Sequence, residues 1–90
     1  MKKYKKNQVL FIHWTDAIFD EGWQESEEYK HDDKEMEHYT VGRFVRQNKK
    51  SISVCQSWQS HTQTDEGIGE IMTIPAGMVK RILVLKTLKL

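Results

Sequence analysis

Ile74-Pro75-Ala76-Gly77-Met78-Val79 is the stretch that decides the fold. Proline has no amide hydrogen and a fixed φ, so a strand arriving at Ile74 must stop there. Residues 75–78 give room for one tight turn before the apolar pattern resumes, and a one-turn 3₁₀ connection fits that gap. Ile68 to Ile74 upstream and Lys80 to Leu85 downstream both have strand character.

Working back from there, Ser51 to Trp58 alternates strictly. Ile52, Val54, Gln56 and Trp58 fall on one face, with Ser53, Cys55 and Ser57 on the other, which is the period of a strand. Tyr39 to Gln47 precedes it, with Val41, Phe44 and Val45 around Gly42. The short polar link Asn48-Lys49-Lys50 between these two segments predicts a hairpin. Val9 to Trp14, rich in β-branched and aromatic residues, is the first strand, and Gln59 to Gly67 is a polar loop. The succession is strand, long acidic segment, strand, short turn, strand, loop, strand, one-turn helix, strand. It is similar to the five-stranded SH3-like (Sm-like) small barrel, a mainly β fold. The expected core is Leu10, Ile12, Phe44, Ile52, Val54, Met72, Ile74, Val79 and Ile82.

The 90 residues form one domain on this reading, with residues 1–7 as a basic tail whose first six residues are frayed, and residues 16–38 as an acidic insertion loop after the first strand. Between Asp16 and Glu37 lie ten Asp or Glu against two Lys, a net −8, while the rest of the chain carries +9. Residues 24–37 contain good helix formers with Ser26 able to cap, which favours a short helix. Like charges at helical spacing repel, and only Tyr29 and Met36 offer apolar anchors, which favours a loop. Both readings stay open.

The single Cys55 excludes an internal disulfide framework and suits a reducing compartment. The basic start leads into an apolar run of only Val9 to Ile12, too short for a secretory signal. The run Ile82 to Leu85 ends at Lys86, far short of a membrane span. The expectation is a soluble, cytoplasmic protein with no membrane partner.

Trp14-Thr15-Asp16 with Gly22-Trp23, then Thr40-Val41-Gly42-Arg43-Phe44, then Ile74-Pro75-Ala76-Gly77-Met78-Val79-Lys80-Arg81-Ile82 form a recognisable set. Together they resemble small, largely uncharacterised bacteriophage and prophage proteins with a W-x-D…GW start and an IP-x-G-x-(I/V) end. The resemblance covers most of residues 8 to 86 and implies a mobile element inside a bacterial cell. It brings no common activity with it.

Several residue groups hold the raw materials of chemistry without its spacing. His31 and His38 stand seven apart among Asp32, Asp33, Glu35 and Glu37, unlike the i, i+4 pair of a helical zinc site. Asp20-Glu21-Gly22 lacks the ligand ladder of a calcium loop. Cys55, with His13, His38 or His61 as candidate base, has no neighbouring charge in sequence to activate a thiolate. Ser51, Ser57 and Ser60 with His61 lack a nucleophile elbow. Gly67-Ile68-Gly69 is too short for a phosphate loop. The chain is therefore expected to be no enzyme and to need no cofactor or metal.

Binding is the stronger expectation. Trp14 is assigned to the core, whereas Trp23 and Trp58 suit a groove as well as a core. Asp16, Asp20, Glu21, Trp23, Tyr29 and Trp58 are the candidate partner-binding residues, an aromatic groove beside carboxylates that would suit a basic or proline-rich peptide of a host or phage protein. The alternative is nucleic acid held by Arg43, Arg46, Lys49 and Lys50 on the second hairpin, with Trp58 and Tyr39 available to stack on bases. A further alternative is a homo-oligomer that sequesters a nucleotide signal between subunits.

Overall fold

The computed structural model describes residues 2–60 and 66–90, with Ser60 and Glu66 described through their backbone alone. The strands are β1 Gln8–Thr15, β2 Glu37–Gln47, β3 Ser51–Ser60, β4 Glu66–Pro75 and β5 Val79–Thr87. Short 3₁₀ turns at Asp33–Met36 and Ala76–Met78 lead into β2 and β5. All pairings are antiparallel, and the strands form one open sheet in the order β4-β3-β2-β1-β5. The five strands lie where sequence alternation puts them, each extended by a few residues. The proline-terminated strand and its one-turn helix are as expected. The loop anticipated over 59–67 and the residue His61 fall mostly on positions outside the described residues.

Alternation along β1 sets the core. Leu10, Ile12 and Trp14 are buried on one face, and Ile82 of β5 stands opposite Ile12. Ile52 and Val54 of β3 and Ile74 of β4 complete the buried cluster, with Tyr4, Phe44, Met78, Val79 and Ile82 packed against it. Each fully buried aliphatic side chain contributes about 1.5–3 kcal/mol, and the six-residue centre accounts for much of what a chain this short can gather. Met72 is a correction. It stands opposite Val54 in the ladder, yet it is 42 % exposed. Ile74, two residues further along the same edge strand, is fully buried, so the cover over this face of β4 ends between them.

At Gly42, β2 and β3 approach closely. A Cβ there would lie 2.9 Å from Val54 Cβ and Cγ2 and 3.0 Å from the Cys55 carbonyl oxygen. Beyond it the β2–β3 register shifts between Phe44 and Arg46, a bulge that bends the hairpin. At the hairpin tip, Asn48 Oδ1 accepts from the Lys50 and Ser51 amides at 2.8 and 2.9 Å, the side-chain turn that asparagine favours. The Ala76 amide donates to the Lys50 carbonyl at 2.7 Å, so the turn after Pro75 docks on this tip.

The N-terminal segment is a second correction. Residues 2–7 are not frayed: the Tyr4 amide donates to Gln47 Oε1 at 2.7 Å, and Gln47 Nε2 donates to the Lys2 carbonyl at 3.0 Å. Tyr4 packs on Phe44, and the Leu88 amide donates to the Asn7 carbonyl at 2.8 Å. A tyrosine among four lysines supplies the apolar anchor that ties the segment down.

Residues 16–32 contain no helix or strand, and 19–35 are exposed throughout. The helix reading over 24–37 reduces to a turn near Glu25 to Tyr29 and the 3₁₀ turn at Asp33–Met36, where Asp32 Oδ1 caps the Lys34 amide at 2.9 Å. Glu37 and His38, assigned to the insertion, belong to β2. The Asp16 amide donates to the Met36 carbonyl at 2.8 Å and closes the base of the segment. No helix among the described residues is long and apolar enough to cross a membrane.

Candidate binding surfaces

Arg43 and Trp58 make the most distinctive pairing. Arg43 projects from β2 and is only 3 % exposed. Its guanidinium lies over the Trp58 ring, 4.7 Å from the centroid, and Nη2 donates to Asn7 Oδ1 at 2.8 Å. Asn7 adopts a left-handed backbone (φ 71°), a conformation that asparagine tolerates, just before β1 begins. Two hollows adjoin this stack and share Ile68. One, of about 300 Å³, is lined by Ser57, Trp58, Gln59, Gly67, Ile68 and Gly69. The other, of about 160 Å³, has Lys6, Arg43, Phe44, Val45 and Cys55 among its walls. Gly69 leaves its side of the larger hollow open, since nothing lies within 4 Å of where a Cβ would stand. An indole beside open backbone and nearby cations can receive a planar, negatively charged group.

The acidic excursion presents a different surface. Trp23 is fully exposed at 102 % and Phe19 is 86 % exposed. Asp20, Glu21 and Tyr29 are exposed beside them, and Asp16 is half-buried at the base. The Tyr29 hydroxyl donates to the Asp20 carboxylate, and this hydrogen bond raises the phenol above its ordinary pKa of 10.0. Of the six expected partner-binding residues, the structure thus joins Tyr29 to Asp20 and takes Trp58 to Arg43. Among the described residues, no excursion residue lines the hollows beside Trp58.

The basic hairpin set divides likewise. Arg46, Lys49 and Lys50 are exposed near the hairpin tip. Arg43 is buried against Trp58, which corrects its placement on a phosphate-facing surface. Cys55 is buried at 1 %, within the wall of the sheet.

A third cluster went unread in the sequence. Glu37 accepts from Lys80 Nζ at 2.7 Å and lies 2.6 Å from His13 Nε2, joining β2, β5 and β1. The Lys80 hydrogen bond first, and that of His13 second, hold the Glu37 carboxyl below its ordinary value of 4.5. Tyr39 stacks on both His13 and Phe11, at centroid distances of 4.8 and 5.8 Å. Alternation predicts that Phe11 and His13 face away from Leu10 and Ile12. Nothing in the sequence brings Lys80 to Glu37. His31 pairs with Asp33 at 2.7 Å, and no three His, Cys, Asp or Glu side chains among the described residues converge as a metal-holding group.

Comparison with protein-family models, curated proteins and solved structures returns no match for this chain.

Proposed function

We propose that this chain is a non-enzymatic binding module that recognises a host or phage protein through its acidic excursion. The sheet is read as an SH3-like small barrel, a reading supported by its strand order and by the 3₁₀ turn before the last strand. The observation that carries the binding role is the exposure of Trp23 and Phe19 on a segment of net −8. Large aromatic side chains left in water on a charged loop contribute nothing to the core, and tryptophan is the residue most enriched at interface hot spots. The fitting partner is a basic protein surface with an apolar pocket, approached by long-range attraction and anchored by Trp23. The resemblance to phage and prophage proteins supports a partner in the cytoplasm of a bacterial host. Affinity capture from bacterial lysate tests the role. The wild type should retain a basic protein that a Phe19→Ala/Trp23→Ala variant loses, and identical retention by both would reject it.

A second reading is favoured by the Arg43–Trp58 stack beside its two hollows: capture of a small nucleotide. The larger hollow has the volume for a base, and Lys6 lines its neighbour. Titration with mononucleotides and cyclic dinucleotides, monitored by tryptophan fluorescence in wild type and Trp58→Phe, separates this reading from the first. Extended nucleic acid is the weaker form of it, because Arg43 is withdrawn from the basic hairpin.

A further inference from the structure

The side chains of β1 that alternate away from Leu10 and Ile12 belong to the outer face of the sheet. Phe11 stands opposite Val41 of β2 and Leu83 of β5, which makes an apolar row across three strands. Val41 is 45 % exposed and Leu83 38 %. The next row is Tyr39, His13 and Arg81, with Tyr39 exposed and stacked on both Phe11 and His13. On the other side of the apolar row, Val9 stands opposite Lys86. These flanking positions carry no acid, and nearby Glu37 is already bonded to Lys80 and His13. The outer face is thus an apolar strip between two exposed cations, Arg81 and Lys86, and the described residues of a single chain leave it open.

The acidic excursion is the complement of this face. It carries a net −8 between Asp16 and Glu37 and holds Phe19 and Trp23 in water. Aromatic anchors among carboxylates match an apolar strip flanked by cations. The excursion leaves the sheet just after Thr15, which shares the outer parity of Phe11 and His13. Trp23 lies eight residues beyond Thr15. That length of extended chain spans up to about 26–29 Å, enough to cross to a neighbouring molecule. Within its own chain Trp23 is fully exposed, so the excursion does not cover its own face. We propose that the acidic excursion of one copy docks on the outer sheet face of a second copy, which returns the contact about a two-fold axis.

Area explains why the contact is reciprocal. Trp and Phe each bury about 150–250 Å², so one excursion contributes about 300–500 Å² through its two anchors. Two excursions, with the matching area of the two faces, reach about 1,200–2,000 Å², the size of a stable interface. One excursion alone falls short of that. The contact is isologous, so it closes at two copies, and each copy folds without it. The proposal rests on the reading of the excursion as a recognition arm and adds its regulation. The second copy's face and the host protein compete for Phe19 and Trp23, so the arm is released when the dimer separates.

Light scattering coupled to size-exclusion chromatography tests it on the full chain. Wild type should run at two chain masses in low salt and shift toward one as salt screens the flanking charges. Phe19→Ala/Trp23→Ala removes the anchors, and Leu83→Glu sets a carboxylate on the strip. Both variants change exposed positions, so both should run as single chains while keeping the wild-type circular dichroism spectrum. Mixed together they leave one intact arm and one intact face, and a two-chain species should return at higher concentration than wild type needs. Tryptophan emission should move to longer wavelength as wild type is diluted and stay fixed in Phe19→Ala/Trp23→Ala. Capture from lysate separates this proposal from the reading beneath it. Leu83→Glu keeps its arm and should retain a host protein at least as well as wild type, whereas a dimer with no host protein captured rejects the host partner and supports the second copy as the arm's occupant. A wild type that stays a single chain in low salt at its highest soluble concentration overturns the proposal. So does a dimer that survives Phe19→Ala/Trp23→Ala, and so does a mixture of the two variants that stays single chains at every soluble concentration.

Discussion

Trp14 donates its indole N–H to Thr40 Oγ1 at 2.9 Å, and both residues are buried at 8 % exposure. The bond satisfies the one polar atom of the largest side chain in the core, at the end of β1 where the acidic excursion departs. Leaving a buried donor without its acceptor costs about 1–3 kcal/mol. Thr40→Val should therefore lower the melting temperature by several degrees, with about 4–8 °C expected for each kcal/mol in a chain of this size. Thr40→Ser keeps the hydroxyl and should lose much less. A loss from Thr40→Ser with none from Thr40→Val would show that the methyl group, rather than the hydrogen bond, matters here.

Gly42 makes a sharper demand. Alanine would put its Cβ 2.9 Å from two Val54 carbons, with the Cys55 carbonyl oxygen at 3.0 Å. Overpacking of this kind costs about 1–3 kcal/mol. Gly42→Ala should destabilise the chain by that amount in chemical denaturation. Val54→Ala removes the opposing Cγ2, so the double variant should be more stable than the sum of the two single losses predicts. Strict additivity would mean that the strands separate instead of the side chains clashing.

What the sequence made legible is what local rules govern. Strict alternation located β3, the missing amide hydrogen of Pro75 ended β4, and Asn48-Lys49-Lys50 folded the hairpin between β2 and β3. Partnerships across the sheet were not legible. Met72 has the parity of Ile74, which is fully buried, yet lies two residues back along β4 beyond the cover of the core. Arg43 belongs to a run of cations in the sequence, and its burial depends on Trp58 and Asn7, which are distant along the chain. Tyr4 holds the N-terminal segment because Phe44 and Gln47 come to lie beside it. Of the candidate site, Trp23 was open between groove and core in the sequence, and its full exposure is a finding of the structure. The separation of Trp23 from the Trp58 hollows required the three-dimensional arrangement.

The three tryptophans should separate cleanly by stability. Trp23 is fully exposed, so Trp23→Ala should change the unfolding free energy by no more than about 0.5 kcal/mol. Trp14→Ala empties part of the core and should cost about 3–5 kcal/mol. Trp58→Ala uncovers Arg43 and should fall between them. Urea denaturation of the three variants checks the order. A large loss from Trp23→Ala would reveal a structural role for the excursion and remove the main support for its role in recognition.

Glu37 gives the fold a pH dependence whose direction can be stated. Lys80 Nζ at 2.7 Å is the larger influence and His13 Nε2 at 2.6 Å the second, and together they depress the carboxyl below 4.5 in the folded chain. Between the depressed value and the ordinary one, the unfolded chain binds a proton at this group that the folded chain does not. The stabilisation is therefore complete above the ordinary carboxylate value and is lost as the pH falls through the folded one. Glu37→Gln should melt below wild type at neutral pH, and the two curves should converge as the solution is acidified past that range. Lys80→Met should lessen the depression and bring the same convergence from a smaller initial gap. Melting curves that stay parallel from neutral to acid would show that the ionisation of Glu37 contributes nothing to holding β1, β2 and β5 together.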